Sequence, residues 1–280
     1  MRPDVLAVIG LGPVGGSLAW SAVRAGVPRV VGFSRERGDA VQALTTGAVH
    51  ELADRPEQAL RGADLVVVAL PGDRGELLGR LAPHLAPHAF LTSVVDIVRP
   101  IAAAAVSAGL STRWAASHPL QSVPGEGFAA ARPEPFRGAV VHVTPVDPSG
   151  DPAVREVMHF WDDLLGAESV RMALEEHDVR VAWMEQLPRL LGVAVAEVYG
   201  AHGLGAVTWG SEARRVTDLA AHDPASLADA LISNRAAVSE AITATAGALG
   251  ALATAIAAGD QERVVALLES AGRIQRGSER

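Results

Sequence analysis

Residues 5–17 read VLAVIGLGPVGGS. An apolar run of strand length breaks into Gly10, Gly12 and Gly15 at G-x-G-x-x-G spacing, and a helix-compatible segment then runs to residue 25, closed by Gly26 and Pro28. Each glycine has a separate task in a dinucleotide-binding turn. Gly10 permits the tight turn, Gly12 lets backbone approach a pyrophosphate, and Gly15 lets the new helix pack on the strand. Pro13 and Val14 complete the turn, and the phosphates sit against free N–H groups at the helix N-terminus. In a chain with 28 glycines the spacing alone is weak. The strand before it and the helix after it favour a cofactor turn over an ordinary strand-turn-helix.

The next strand, residues 29–34 (RVVGFS), ends where an NAD-binding chain usually offers a carboxylate to the ribose hydroxyls. Here the position is Ser34, followed by Arg35 and Arg37, so a 2′-phosphate meets a hydroxyl and guanidinium groups. NADP(H) is therefore expected over NAD(H). The alternatives are that both arginines are solvated loop charges or that Glu36 turns inward. Leu70, which ends the run DLVVVAL, and Pro71 directly after it are expected to lie under the ribose and nicotinamide half, or to be a simple strand terminus.

Composition narrows the classes. The 280 residues, 49% hydrophobic, suffice for one large or two ordinary domains with a substantial core. A net charge of −8 without a dense basic run argues against nucleic acid as a partner. With no cysteine there is no disulfide, thiolate nucleophile or Cys-ligated metal, and no metal is expected. All 24 basic residues are arginines, which excludes Schiff-base chemistry, a Walker lysine and the catalytic lysine of 3-hydroxyacid dehydrogenases. The first strand begins almost at once, and no apolar stretch is seen to reach the ~18 residues that span a bilayer. A soluble, cytoplasmic protein with no membrane partner is the expectation.

Strand-like runs recur at 5–10, 29–34, 64–70, 90–95, 113–117 and 139–144, mostly separated by helical segments. The alternation predicts an α/β fold, an N-terminal Rossmann-type, mostly parallel sheet over residues 1–150. From about residue 152 the pattern changes to Ala- and Leu-rich helical stretches at 154–165, 174–199, 224–258 and 260–274, so residues 151–280 are expected to form an all-helical domain for substrate binding and dimerisation. The segment ITATAGALGALATAIAAG is apolar on several faces and calls for burial, against a second subunit in a homodimer or within its own chain.

The best catalytic candidate is His118 in Ser117-His118-Pro119, just past a strand end on the edge where open α/β sheets bind ligands. A histidine there can act as a general base near neutral pH. At these residues the chain resembles the prephenate and arogenate dehydrogenase family. The likeness lies in the glycine turn with its following Gly16-Ser17, the His118-Pro119 pair, Gly125 to Phe128, Phe136 to Gly138, Val143-Thr144-Pro145, Trp161 with Leu165 to Ala167, and Glu176-His177-Asp178. The resemblance implies hydride transfer from a ring carbinol carbon to nicotinamide, with His118 taking the hydroxyl proton and ring decarboxylation giving a phenol.

Departures from the family pattern are as informative. The serine that assists the histidine in the family stands here as Asp96, which either orients and stabilises the imidazole or caps the helix beginning near Ile97. The family's two substrate-facing histidines become Gln186 and Arg189, and its carboxylate-clamping arginine aligns with Asp218. Together with Gln121 and Ser122 these residues form the expected substrate pocket. An aspartate at the clamp repels a substrate acid. Either Arg189, Arg214 or Arg215 supplies a displaced guanidinium, or the substrate carries an amine. The expectation is an NADP(H)-dependent dehydrogenase or reductase acting on a small cyclic or amino-acid-like metabolite, in specialised metabolism. Tyrosine biosynthesis, imine or ketone reduction, and NADP(H) binding without turnover are the alternatives.

Overall fold

A computed structural model describes residues 2–70, 74–220 and 224–277. Two compact units divide between Val181 and Ala182. The first opens with β1 (Val5–Ile9), α1 (Pro13–Arg24), β2 (Arg29–Phe33), α2 (Arg37–Thr45), β3 (Glu51–Leu52), α3 (Pro56–Ala59), β4 (Leu65–Val68), α4 (Arg74–Leu81), β5 (Phe90–Val94), α5 (Arg99–Ser107) and β6 (Trp114–Pro119). It continues with β7 (Val140–Pro145), α6 (Asp151–His159), β8 (Glu168–Arg171) and α7 (Leu174–Val181). The second unit holds α8 (Leu187–Ala201), α9 (Ser211–Thr217), α10 (Pro224–Ser233), α11 (Arg235–Ala257) and α12 (Gln261–Gly277).

The eight strands form one sheet in the order β3-β2-β1-β4-β5-β6-β7-β8. The strands from β1 to β6 pair in parallel, as the alternating pattern predicts. β7 reverses against β6, with His118 opposite His142, and β8 runs parallel to β7. Central strands such as Leu65–Val68 are buried throughout, which is why they read as unbroken apolar runs. Two hydrophobic clusters cover the two faces, one holding Leu18, Phe128, Phe136 and Trp161, the other Leu78, Leu81, Leu91 and Trp114. The two buried indoles keep their N–H groups bonded, Trp114 to Ser93 Oγ at 3.0 Å and Trp161 to Ser117 Oγ at 2.8 Å.

The sheet unit runs some thirty residues past the expected boundary at 150/151 because α6 packs on the sheet and residues 168–171 add its last strand. β3 and β8 escape the sequence reading for opposite reasons. β3 is two residues long, and ESVR in β8 is a polar edge with no apolar alternation. The predicted helix over 224–258 breaks at Asn234, between α10 and α11. Within the helical unit the Asn234 side-chain amide donates to Gln186 Oε1 at 2.8 Å, both residues being buried. α11 also corrects an expectation. By length and composition it is apolar enough to cross a membrane, and only 11% of its most apolar stretch is buried within the chain. Its apolarity is spread over alanines, so no run of large side chains marks it in the sequence.

The Gly-Gly-Ser end of the glycine turn is explained by the loop that returns after β6. A Cβ on Gly16 would lie 2.7 Å from the Phe128 ring, which stacks on Trp20 with centroids 6.1 Å apart. Ser17 Oγ accepts the Arg132 N–H and Ser21 Oγ accepts the Glu134 N–H, each at 2.9 Å. Phe128 N–H donates to Asp39 Oδ1 at 2.8 Å. Gly16→Val is therefore expected to lower unfolding free energy by about 1–3 kcal/mol through overpacking against Phe128, measured by denaturant titration.

Candidate functional site

The turn after β1 has the geometry of a phosphate cradle. Gly10 has φ +104°, and a Cβ there would lie 2.5 Å from the Ala69 carbonyl oxygen. A Cβ on Gly15 would lie 1.9 Å from the Gly10 carbonyl oxygen, so no side chain fits at either position. Gly12 is different, since nothing lies within 4 Å of where its Cβ would be. It leaves open space before α1, whose start carries Pro13 and no side-chain cap. The first-turn N–H groups are thus left to a ligand.

A cavity of about 510 Å³ extends from this turn. Its wall includes Gly12, Pro13 and Val14, then Ser34 and Arg35 after β2, Leu70 after β4, and Asp96 after β5. Six of the residues expected to hold a cofactor are thereby brought to one cavity together with Asp96. Gly10 and Gly15 shape the turn from behind. Arg37 instead opens α2 outside that wall, and Glu36 stands on the wall with its backbone N–H bonded to Ser34 Oγ at 3.3 Å. Pro71 lies outside the described residues.

His118 lies near the end of β6 with only 3% of its surface exposed. Its Nδ1 is 3.2 Å from His177 Nε2, and His177 Nδ1 is 2.9 Å from Asp178 Oδ1. A carboxylate accepts only, so His177 donates from Nδ1 and presents Nε2 as an acceptor. His118 then donates from Nδ1, and its Nε2 keeps a lone pair. That nitrogen faces Asp96 Oδ1 at 3.9 Å. The chain of bonds fixes the tautomer a general base needs, with the Nε2 edge of the ring toward Asp96.

Asp178 has a second task. Its Oδ1 accepts the Val98 N–H at 2.8 Å and its Oδ2 the Arg99 N–H at 3.0 Å, so it caps the start of α5. Asp96, weighed as that cap, is 67% exposed at its side chain and is left to face His118. Burial pushes the Asp178 carboxyl up, but the bonds from His177, Val98 and Arg99 outweigh it and hold the group below its ordinary range.

His142, directly opposite His118 on β7, completes a cluster that the sequence reading missed. The strand itself is legible in 139–144, but its antiparallel pairing with β6 is not. Burial, then His177 and Arg180, push the His142 imidazole below its usual pKa. Of the expected substrate residues, Gln121 and Ser122 are exposed just after β6, and it is the next residue, Val123, that reaches the cavity wall. In the helical unit Gln186 is buried against Asn234, Arg189 stands 3.9 Å from Glu185, and Asp218 is exposed. Arg215 pairs with Glu212 at 2.9 Å, and Arg214 donates to the Ala206 carbonyl at 3.1 Å.

A glycine cradle at the carboxyl edge of a parallel sheet, sharing its cavity with a carboxylate 3.9 Å from a buried histidine, defines a nucleotide-binding protein of the oxidoreductase class. Family comparison agrees. Residues 21–170 match the model described as prephenate dehydrogenase, nucleotide-binding domain, and residues 173–270 the model described as prephenate dehydrogenase, dimerization domain. The chain belongs to the prephenate dehydrogenase family. The match begins after the glycine turn, which therefore rests on its own geometry. Among solved structures, the chain is similar to Synechocystis arogenate dehydrogenase, at 22% identity over 98% of this chain and 99% of that one, with TM-score 0.85. It is likewise similar to A. aeolicus prephenate dehydrogenase in complex with hydroxyphenyl propionate and NAD+, at 21% identity over 99% and 98%, with TM-score 0.89. At these identities the likeness shows the fold. No curated protein matches by sequence.

Proposed function

We propose that this chain is an NADP(H)-dependent oxidoreductase of the prephenate and arogenate dehydrogenase type, acting on a small cyclic or amino-acid-like metabolite of specialised metabolism. The carrying observation is that one cavity has the glycine turn, Ser34 and Arg35 on its wall together with Asp96, 3.9 Å from the Nε2 edge of His118. The NAD+ named in the A. aeolicus complex supports a nicotinamide cofactor, which when bound supplies or accepts the hydride. His118 accepts the substrate hydroxyl proton at Nε2, and the Asp96 carboxylate stabilises the imidazolium that results. Asp178 and His177 keep the ring in register by holding Nδ1.

The choice of NADP(H) rests on Ser34 and Arg35, which offer a hydroxyl and a guanidinium where a ribose-binding carboxylate is usual. Arg35→Ala is expected to weaken NADPH binding by about one to two decades, the loss of one charge-assisted contact worth roughly 1.5–3 kcal/mol. Titration of both cofactors against both proteins measures it. Tighter binding of NADH than NADPH, or unchanged NADPH affinity in the variant, overturns the assignment.

The substrate reading rests on Asp218, a carboxylate aligned with the arginine that clamps an acid in the family. Such a group favours an ammonium or a hydroxyl donor. Wild type is expected to turn over amine-bearing analogues in preference to prephenate, and Asp218→Arg to shift the ratio back. His118→Asn is expected to lose about 10²–10⁴-fold in turnover with cofactor affinity preserved. Efficient turnover of prephenate by wild type would return the chain to ordinary tyrosine biosynthesis.

The same reading includes a homodimer built on the helical unit, supported by its match to a dimerization domain. Ile242, Leu249 and Ile256 of α11 are 44%, 57% and 60% exposed in the single chain, apolar surface that a second copy would cover. Sedimentation is expected to give a dimer for wild type at micromolar concentration and a monomer for Leu249→Glu. A wild-type monomer overturns this part of the reading.

A further inference from the structure

We propose that His118, His142 and His177 form a three-histidine site for a first-row divalent metal ion of the zinc class, and that filling it switches off His118 as a base. Three imidazoles come from three separate elements, β6, β7 and α7, and each offers a nitrogen within 4.8 Å of the other two. All three side chains are buried. Their rings meet edge to face, with centroids 5.2 to 6.1 Å apart, so no other side chain stands between them.

His142 supplies the observation that a hydrogen-bonded histidine pair leaves unexplained. Its Nδ1 is buried with no hydrogen-bond partner, and such an orphan is destabilising unless something occupies it. Burial keeps this imidazole neutral, the form that ligates metals. A tetrahedral ion with bonds of 2.0–2.1 Å to nitrogen needs ligand atoms about 3.4 Å apart. His118 and His177 already stand at 3.2 Å, and since no separation exceeds 4.8 Å, closing the site takes a movement of at most roughly 1.4 Å.

The far sides of the rings also suit a metal. Ligating histidines generally donate their second N–H to a carboxylate, which orients the ring and raises its basicity. His177 does this to Asp178 at 2.9 Å, and the Nε2 of His118 faces Asp96 at 3.9 Å, a side chain exposed enough to swing inward. Three neutral imidazoles leave a fourth position open for water, as in catalytic zinc centres.

The proton balance gives the consequence. Without metal, His118 carries its proton on Nδ1 and donates it to His177. In the metal form both facing nitrogens give their lone pairs to the ion. The His118 proton therefore moves from Nδ1 to Nε2, with no net change in charge on the imidazole, and the nitrogen that faces Asp96 can no longer accept one. Metal occupancy and base catalysis by His118 exclude each other.

The test titrates cobalt(II) into the chelator-stripped full chain and follows visible absorption and metal content. One cobalt per chain is expected, with the strong bands of four- or five-coordinate ions, and zinc displaces it. His142→Leu is expected to lose at least about a hundredfold in affinity while keeping nicotinamide-cofactor affinity and helical content, with His142→Gln as a second variant should the first not fold. Zinc is expected to stop turnover in wild type, reversibly with chelator, and to spare the His142 variant. A spectrum of hydrated cobalt with wild type, or equal affinity in a folded His142 variant, overturns the proposal. The cobalt titration needs no substrate, so its outcome is independent of the hydride-transfer reading on which the turnover arm rests.

Discussion

The carboxylate of Asp178 is the constraint on which the rest of the site depends. One buried group takes three hydrogen bonds, from the Val98 N–H, the Arg99 N–H and His177 Nδ1. The first two close the N-terminus of α5, and through it set the path of the chain after β5, where Asp96 reaches the cavity. The third fixes the proton on His177 and, one bond further, the proton on His118. A buried charge is tolerated here because these donors outweigh its desolvation. These bonds tie the start of α5 to α7.

The sequence made the parallel part of the sheet legible because local pattern suffices there. Val5–Ile9 and Leu65–Val68 are runs that no helix period explains, and Gly10 and Gly15 after β1 occupy positions where any side chain would meet backbone. The candidate base, His118, was legible for a similar reason, since a proline directly after it marks the strand end. His142 was not. It sits within an apolar strand, where a histidine reads as a tolerated core residue, and its meaning comes only from lying across from His118 in an antiparallel register that no local signal encodes. Asp178 was likewise visible as part of a family motif, but its bond to α5 joins residues 80 apart in sequence.

The helical unit obeys different rules. Its predicted segments are present, yet few of their large side chains are buried within the chain, and Leu268 and Ile274 of α12 are 60% and 74% exposed alongside those of α11. Alanine-rich helices gain little from burial per residue, and their close approach needs a matching surface of small residues. The interior pair Gln186 and Asn234 shows that one of its few buried contacts is polar. Composition could identify an apolar helix, but not whether the surface it seeks lies in the same chain.

The bond between Asp39 and Phe128 has a consequence for anyone wishing to redesign cofactor choice. Asp39 stands on the same cavity wall as Ser34 and Arg35, and is an obvious target for removing negative charge there. The same carboxylate holds the Phe128 N–H, and a Cβ on Gly127 would lie 2.8 Å from its oxygen. Neutralising it loosens the loop that Ser17 and Ser21 also fasten to α1. Engineering of selectivity through this helix therefore meets an architectural cost that the same change at Glu36, whose side chain makes no such anchoring bond to that loop, does not incur.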